Sequence, residues 1–313
     1  MCGITGGINI NQEQVIKMQD RLVHRGPDDS NILTERNISF GHTRLAIQDI
    51  KGGIQPLSVG DYVIIFNGEI YNHQELRSNY LKGIDFKTSC DTETLLNLYI
   101  LYKDKMYEMI DGMFSFCIYN KKENYILLSR DRVGKKPLYF YKYGDVFAFS
   151  SEINSLINCV ESLKINEEAI YSYLMMGFFF KASTPFSHIE QVQPGYQYKI
   201  DTNTLEIRKK KYFHLIDYFK KEPINDMERV LCSVDQSLHR SVKNRLLSSD
   251  LEVGCFLSGG IDSSLVTAIA SDYKNKLKTF TVKFEKSYDE SKLARMTADK
   301  YSTEHHEIPI SMN

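Results

Sequence analysis

The opening residues Met1-Cys2-Gly3-Ile4-Thr5-Gly6-Gly7 put a thiol directly behind the initiator methionine. A methionine ahead of so small a residue is normally trimmed, so Cys2 is expected to become the first residue and to carry both a sulfur nucleophile and a free α-amine. Such an amine has a reference pKa of about 7.7–8.0, so part of it is unprotonated near neutral pH and can take the thiol proton. One residue then supplies nucleophile and base. The glycines behind it let the backbone turn tightly and leave space for a substrate beside the sulfur. Two other readings compete. A lipidated N-terminal cysteine needs an apolar leader, and only Met1 precedes this one. A buried structural thiol fits a strand in which Ile4, Ile8 and Ile10 alternate with small or polar residues.

A second chemical stretch follows the apolar, β-branched run Tyr62-Val63-Ile64-Ile65-Phe66, which predicts a buried strand stopping at Asn67-Gly68-Glu69. An amide side chain and a glycine N–H at a strand end can both point at one oxygen. Two fixed donors suit a tetrahedral oxyanion, and losing one typically raises a barrier by about 2.7–4 kcal/mol. Asn-Gly is equally the strongest hairpin signal, so a plain turn is the alternative. Glu69 beside it can receive a substrate ammonium. Asp91 reads as the N-cap of the apolar helix Thr94 to Tyr102, with its second oxygen open to a ligand.

The third stretch is Ser258-Gly259-Gly260-Ile261-Asp262-Ser263-Ser264, between a predicted buried strand at Leu251 to Leu257 and a helix at Ser264 to Ser271. A strand, a Gly-rich turn and a helix start present unpaired N–H groups to an anion. No lysine follows as in a G-x-x-x-x-G-K-[ST] loop, and the dinucleotide spacing is missing. Ser-Gly-Gly-x-Asp-Ser is instead the pyrophosphate loop of enzymes that cut ATP between the α and β phosphates. Asp262 offers Mg²⁺ a hard oxygen ligand. The next strand, Leu277 to Phe284, brings Val282 near its C-terminal end, where ligands sit on open parallel sheets. His305 and His306 are strand neighbours facing opposite sides, so they do not share one ion easily.

The elements that must position these residues fall into two parts. Up to about Thr204 the pattern is of short strands: helical spacing at Gln12 to Leu22, a loop at His24-Arg25-Gly26-Pro27-Asp28-Asp29, an extended segment Ser39 to Gln48 carrying Arg44, and helical residues Gln74 to Leu81. Met113 to Tyr119, Tyr125 to Arg130, Pro137 to Tyr143 and Val146 to Ser150 predict a meander of antiparallel strands. Asp131 to Pro137 reads as a solvated charged turn, Pro194-Gly195 as a hairpin and Arg208 to Lys211 as a solvated strand end. The pattern changes at Asp226 to Leu247, a long amphipathic helix, and a second domain is expected from about His214.

Composition narrows the function classes. Lys+Arg 39 against Asp+Glu 40 leaves a net charge of -1, so no basic excess points to nucleic acid or an anionic membrane. The longest apolar runs, such as Tyr62 to Phe66 and Met175 to Phe180, fall far short of the roughly 20 residues of a membrane helix. Six cysteines without a C-x-x-C pair, and no signal peptide ahead of them, predict a reducing cytoplasm with neither disulfide framework nor cysteine-based zinc site.

Taken together, Met1 to Ile4, His24 to Asp28, His42 to Ile47, Phe66 to Asn72, Asp91 to Glu93, Asp131 to Tyr139, Ser150 to Glu152 and Ser258 to Ser264 resemble, in order, the glutamine-hydrolysing asparagine synthetases. That family joins a class II, N-terminal-nucleophile glutaminase to an ATP pyrophosphatase synthetase. The resemblance implies an α+β first domain at residues 2–213, an αββα sandwich of antiparallel sheets of the Ntn-hydrolase type. A partial α/β parallel-sheet ATP pyrophosphatase domain at residues 214–313 would follow. It implies that Cys2 attacks the glutamine amide carbon while Asn67 and Gly68 hold the oxyanion. Arg44 would pair with the glutamine α-carboxylate, a task suited to its forked donors. Glu69 and Asp91 would bind the α-ammonium, and Leu45, Ala46, Ile47 and Gln48 would line the pocket. Leu257 and Val282 would contact the adenosine part of ATP, and Ser258, Gly259, Gly260, Ile261, Asp262, Ser263 and Ser264 its pyrophosphate. The family adenylates the β-carboxylate of aspartate, passes ammonia through an internal tunnel, and releases asparagine, AMP and pyrophosphate. Members continue through a longer synthetase domain, so the synthetase half here reads as truncated. A homodimer or a second chain completing that half is one expectation. A related amidotransferase for another carboxylate, and a stand-alone glutaminase or non-catalytic fragment, are the alternatives.

Overall fold

The computed structural model describes residues 1–157, 163–284 and 289–310; Cys159 lies outside them. The chain forms two compact units, Met1–Lys220 and Lys221–Asn313. In the first, strands β1 (Gly3–Ile8), β2 (Asp29–Glu35), β3 (Ile38–Arg44), β4 (Leu57–Val59), β5 (Tyr62–Ile70), β6 (Gly112–Asn120), β7 (Tyr125–Arg130), β8 (Tyr139–Tyr143), β9 (Val146–Ser150), β10 (Ile189–Gln191), β11 (Tyr196–Asp201) and β12 (Ile207–Lys211) build two antiparallel sheets. One has the order β10-β8-β9-β1-β3-β2 and the other β12-β11-β7-β6-β5-β4.

Side-chain alternation explains the layering. In β5, Val63 and Ile65 enter the core shared with Ile4, Phe40 and Phe149 of the facing sheet, while Ile64 and Phe66 enter a second core. β6 and β7 repeat this, with Cys117, Tyr119, Ile126 and Leu128 on one side and Phe116, Ile118, Tyr125 and Leu127 on the other. Strands buried on both faces carry unbroken apolar runs. Helix α1 (Gln12–Asp20), capped by Asn11 and Gln14, covers the outer face of the first sheet through Val15 and Met18. Helices α2 (His73–Tyr80) and α3 (Asp91–Tyr102) cover the outer face of the second through Leu76, Leu95 and Leu98. The result is the expected αββα sandwich. The short α4 (Met106–Met109), α5 (Ile153–Ile157), α6 (Glu167–Met176) and α7 (Ile216–Phe219) complete the unit.

One expected connection differs. The segments from Met113 to Ser150 do not form one meander: β6 and β7 pair in the second sheet, β8 and β9 in the first, and residues 131–138 cross between the layers. Pro194-Gly195, with Gly195 at φ +72°, leads from β10 of the first sheet into β11 of the second and opens the hairpin that β11 forms with β12. Turn residues mark where a strand ends but not which layer takes the next one.

The second unit contains α8 (Met227–Leu247), β13 (Cys255–Phe256), α9 (Ile261–Tyr273), β14 (Lys278–Phe284), α10 (Ser291–Lys300) and β15 (Glu304–Ile310). The strands form a parallel sheet in chain order, with α9 and α10 as crossovers. Val242, Leu238 and Leu246 of α8 pack on Ile269, Ala270 and Leu277. The strand expected at Leu251 to Leu257 shrinks to two residues, and Phe256 is 85% exposed. Among the described residues β13 has a partner on one side alone, so its outer positions meet solvent. No described helix is long and apolar enough to cross a membrane.

Candidate active site

The pairing register builds the first site. Gly3 of β1 lies opposite Thr43 of β3, which brings Cys2 to the end of β3, where Arg44 is its last residue and Leu45 follows. Cys2, Arg44, Leu45, Ile47, Gln48, Asn67, Gly68, Glu69 and Asp91 line one cavity of about 150 Å³, together with Met1, Gln55, Met113 and Lys136. Ala46 is not among the lining residues and gives its N–H to Asp28 Oδ2 at 2.8 Å.

Cys2 Sγ lies 3.4 Å from the Leu45 N–H and 3.8 Å from the Leu45 carbonyl. Burial pushes its thiol up, and the Leu45 N–H and the terminal amine partly offset that. Burial also holds the terminal amine below its usual value, and Lys136 and Arg25 add to this. Here the amine belongs to Met1; loss of that residue would hand it to Cys2. Arg25 fixes the backbone at this point, donating from Nε to the Cys2 carbonyl at 3.0 Å and from Nη1 to Glu152 at 2.9 Å.

The strand through Asn67 and Gly68 does not stop there. β5 continues to Ile70, with Asn67 opposite Ser115 and Gly68 opposite Phe114, so the predicted strand end and its alternative as a turn both give way to a paired strand. A Cβ on Gly68 would stand 2.3 Å from the Met113 carbonyl, so the close approach of β6 requires glycine. The Asn67 side chain is fully buried; Nδ2 meets Ser115 Oγ at 3.4 Å and Oδ1 has no hydrogen-bond partner. A half-turn of this amide lets the Ser115 hydroxyl donate to Oδ1 and frees the N–H groups for a guest oxygen.

The charged wall is equally built. Arg44 is buried, and its guanidinium donates to the carbonyls of Gln48 (3.0 Å), Asp49 (2.6 Å) and Ile50 (3.1 Å). Gly53 leaves it room, since a Cβ there would lie 2.7 Å from Nη2. Gln48 donates to Glu69 and accepts the Asp91 N–H at 3.2 Å. Asp91 is the first residue of α3 rather than its cap, because the helix starts three residues earlier than predicted and Cys90 takes the cap position. Its carboxylate accepts the Ile70 N–H at 2.8 Å, and burial pushes its pKa up to about 7. A buried carboxyl raised in this way favours a guest that brings a positive charge.

Sequence reasoning missed Lys136 and Gln55. Lys136 sits in a run that reads as a solvated turn, yet Asp131 and Lys136 are both buried. Arg130 organises that loop by donating to the carbonyls of Lys136, Val192 and Gly134. Gln55 bridges the Phe66 N–H and Thr92 Oγ1 under the cavity floor. Nothing in the local pattern marks either side chain as inward-facing.

In the second unit Leu257, Ser258 and Val282 line a cavity of about 220 Å³ with Phe280, Thr281 and Glu290. Gly259 (φ +82°) and Gly260 lead from it into α9, whose first turn holds Ile261, Asp262, Ser263 and Ser264. A Cβ on Gly259 would lie 2.7 Å from Ala294 N. Ser258 and Ser263 hydroxyls meet at 3.0 Å, and Ser264 Oγ pairs with Thr297 at 3.1 Å. Gly260 caps α9 without a side-chain bond, which leaves the helix start open to an anion. His305 bonds Thr279 and His306 stacks on Phe280.

Residues 1–213 match the family described as glutamine amidotransferase domain, and residues 233–313 the family described as asparagine synthase. Asparagine synthetase [glutamine-hydrolyzing] 1 of Bacillus subtilis is 40% identical over 95% of this chain and 48% of its own length. A putative asparagine synthetase 2 of Methanocaldococcus jannaschii is 35% identical over 98% of this chain and 64% of its own. Asparagine synthetase B of Escherichia coli is 32% identical over 100% and 54%. The chain thus spans about half the length of the curated relatives it matches. Among solved structures, the glutamine phosphoribosylpyrophosphate amidotransferase of B. subtilis has the same fold at 15% identity, with a TM-score of 0.51 over 98% of this chain and 81% of that one. On these matches the chain belongs to the glutamine amidotransferase domain family, whose model spans residues 1–213.

Proposed function

We propose that residues 2–213 form a glutaminase whose ammonia serves the ATP-dependent conversion of aspartate to asparagine, with residues 214–313 as the first part of the synthetase. Cys2, its amine exposed by loss of Met1, is the nucleophile. The amine takes the thiol proton, the sulfur adds to the amide carbon of glutamine, and Asn67 with the Gly68 N–H receives the oxyanion. Proton return to the amide nitrogen releases ammonia and leaves a γ-glutamyl thioester, which water hydrolyses to glutamate. Arg44 pairs with the substrate α-carboxylate, Glu69 and Asp91 with its α-ammonium, and Leu45, Ile47 and Gln48 line the approach, with Ala46 tied to Asp28 outside the lining.

In the second unit Leu257 and Val282 hold the adenosine part of ATP, and Ser258 to Ser264 its phosphates. The β-carboxylate of aspartate takes up AMP with loss of pyrophosphate, and ammonia then displaces AMP. Mg²⁺ would sit at Asp262. No group of three His, Cys, Asp or Glu gathers among the described residues, and Asp262 is a lone exposed carboxylate in the first turn of α9. That suits an ion which commonly takes one or two protein carboxylates and otherwise keeps water and phosphate oxygens. When bound, it would neutralise phosphate charge. We assign the chain to the reducing cytoplasm, in keeping with the free thiols at Cys2, Cys90, Cys117, Cys232 and Cys255.

The observation that carries this reading is the single cavity shared by Cys2, Arg44, Asn67, Gly68, Glu69 and Asp91. Purified protein should release glutamate and ammonia from glutamine, and Cys2→Ala should abolish it. Mass spectrometry should find Met1 gone; unchanged hydrolysis by the mutant, or Met1 retained in active protein, would sink the mechanism.

A further inference from the structure

Lys136 lies in the crossing between the two sheets of the first unit and is 5% exposed. Its backbone is fixed on both sides: the N–H donates to Asp131 Oδ2 at 2.9 Å, and the carbonyl accepts from Arg130 Nε at 2.7 Å. The side chain lines the same cavity as Met1, Cys2 and Asn67. A buried ammonium ordinarily has a carboxylate partner. The two acids facing it are Glu69 and Asp131, and both are engaged elsewhere, Glu69 with Gln48 and Asp131 with the N–H groups of Val133, Lys135 and Lys136. Burial, and Arg25 after it, push the ammonium's pKa down, while Cys2, Glu69 and Asp131 hold it up, so the charge is tied to the groups of this cavity.

We propose that Lys136 is a positioning residue of the glutamine-hydrolysing site, its buried ammonium set in the cavity beside Cys2 so as to disfavour a second cation at the N-terminal amine and to favour an anion at the sulfur. This rests on the reading of Cys2 as nucleophile.

A cation disfavours a second positive charge nearby and favours a negative one. The amine seen here, that of Met1, also faces Arg25, which acts in the same direction as Lys136, and Cys2 and Asp28, which oppose it; loss of Met1 would place the amine on Cys2, which lines the same cavity as Lys136. The sulfur faces Arg44, which favours the thiolate, and Asp91, which does not. In the transfer itself the S–H bond breaks, an N–H bond forms, and one positive and one negative charge appear. Lys136 opposes the first and favours the second, so its net effect on that step is small. Before the transfer only the amine feels it, so the share of amine ready to accept a proton near neutral pH rises.

The test is the pH profile of kcat/KM for glutamine hydrolysis between about pH 5.5 and 9.5, the range that spans an α-amine titration, in wild type, Lys136→Met and Lys136→Arg. In the Met variant the acid limb should move up by about half to one pH unit, lowering activity near pH 7 by roughly 3- to 10-fold with recovery at the alkaline end. The Arg variant should keep the wild-type limb. A drop of equal size at every pH, or an unmoved limb, overturns the proposal. Should Lys136→Met fail to fold, Lys136→Gln replaces it. Alkylation of Cys2 by iodoacetamide, read by mass on the N-terminal tryptic peptide, gives a second measure: slower reaction in the variant near pH 7 supports the proposal and equal rates overturn it. Wild-type protein that hydrolyses no glutamine overturns the glutaminase reading instead, and the alkylation arm still decides the role of Lys136.

Discussion

The Arg25 guanidinium reaches the Cys2 carbonyl at 3.0 Å with one nitrogen and Glu152 at 2.9 Å with another. The position of the sulfur is thus set by a side chain 23 residues away and an acid 127 residues further on. Misplacing a reacting group by about 1 Å can cost about a hundredfold in rate. Arg25→Ala should therefore lower kcat for glutamine hydrolysis by about that factor, with Cys2 still present and alkylable, and Glu152→Gln should lower it less. Steady-state kinetics of the two variants check this; a wild-type kcat in Arg25→Ala would show that the bond does not position the nucleophile.

Asp91 carries a pH signature. Burial raises its carboxyl to about 7 in the fold, above the ordinary value near 3.8. Between those values the folded protein holds a proton that the unfolded chain has released, so the contribution of this group to stability is full below about pH 4 and lost as pH rises through about 7. Thermal unfolding of the ligand-free protein across pH 4–8 should show that loss, and Asp91→Asn should remove its part of the slope. Glutamine, arriving with an ammonium, needs the ionised carboxylate, so its affinity should climb over the same window in wild type and stay flat in Asp91→Asn. Calorimetric titration at several pH values measures it.

Gly68 and Ser115 test the proposed oxyanion wall from its two sides. Gly68→Ala forces a methyl to 2.3 Å from the Met113 carbonyl, and overpacking of this kind typically costs about 1–3 kcal/mol. Chemical denaturation should register it, and glutamine hydrolysis should fall with it. Ser115→Ala removes the hydroxyl that would turn the Asn67 amide, so kcat should fall while KM changes little. An unchanged kcat in Ser115→Ala means that the amide is oriented by something else.

Gly259 is tested differently. Its φ of +82° and the 2.7 Å approach to Ala294 N leave no place for a side chain. Gly259→Ala should distort the start of α9 and weaken ATP binding by this chain at least tenfold, while glutamine hydrolysis stays at the wild-type rate. Equilibrium binding of ATP set against the glutaminase assay separates the two effects.

Much of this was readable beforehand because the chemistry is local. Met1-Cys2, Asn67-Gly68 and Ser258 to Ser264 are short motifs whose residue types suffice to suggest anions and nucleophiles. The strands were readable where β-branched runs are continuous. What stayed hidden was long-range. Asn67-Gly68 carries the chemistry of a turn, but pairing of β5 with β6 across both residues overrides it. The charges from Asp131 to Lys136 look solvated, because nothing local announces that Arg130 will fold the loop inward and bury Lys136. Layer assignment of β8 and β9 was lost for the same reason, since alternation names a face but not the sheet that meets it.

The strand β1, which starts directly after Cys2, is also tied to a residue far along the chain. The Ser151 N–H donates to the Ile4 carbonyl at 2.9 Å and the Ile4 N–H to the Ser151 hydroxyl at 3.0 Å. β3 can pair with one edge of the first strand early, but its other edge stays open until Ser151 has been made. An affinity tag fused ahead of Cys2 would keep the amine from ever forming, so purification handles belong on loops or at the opposite terminus.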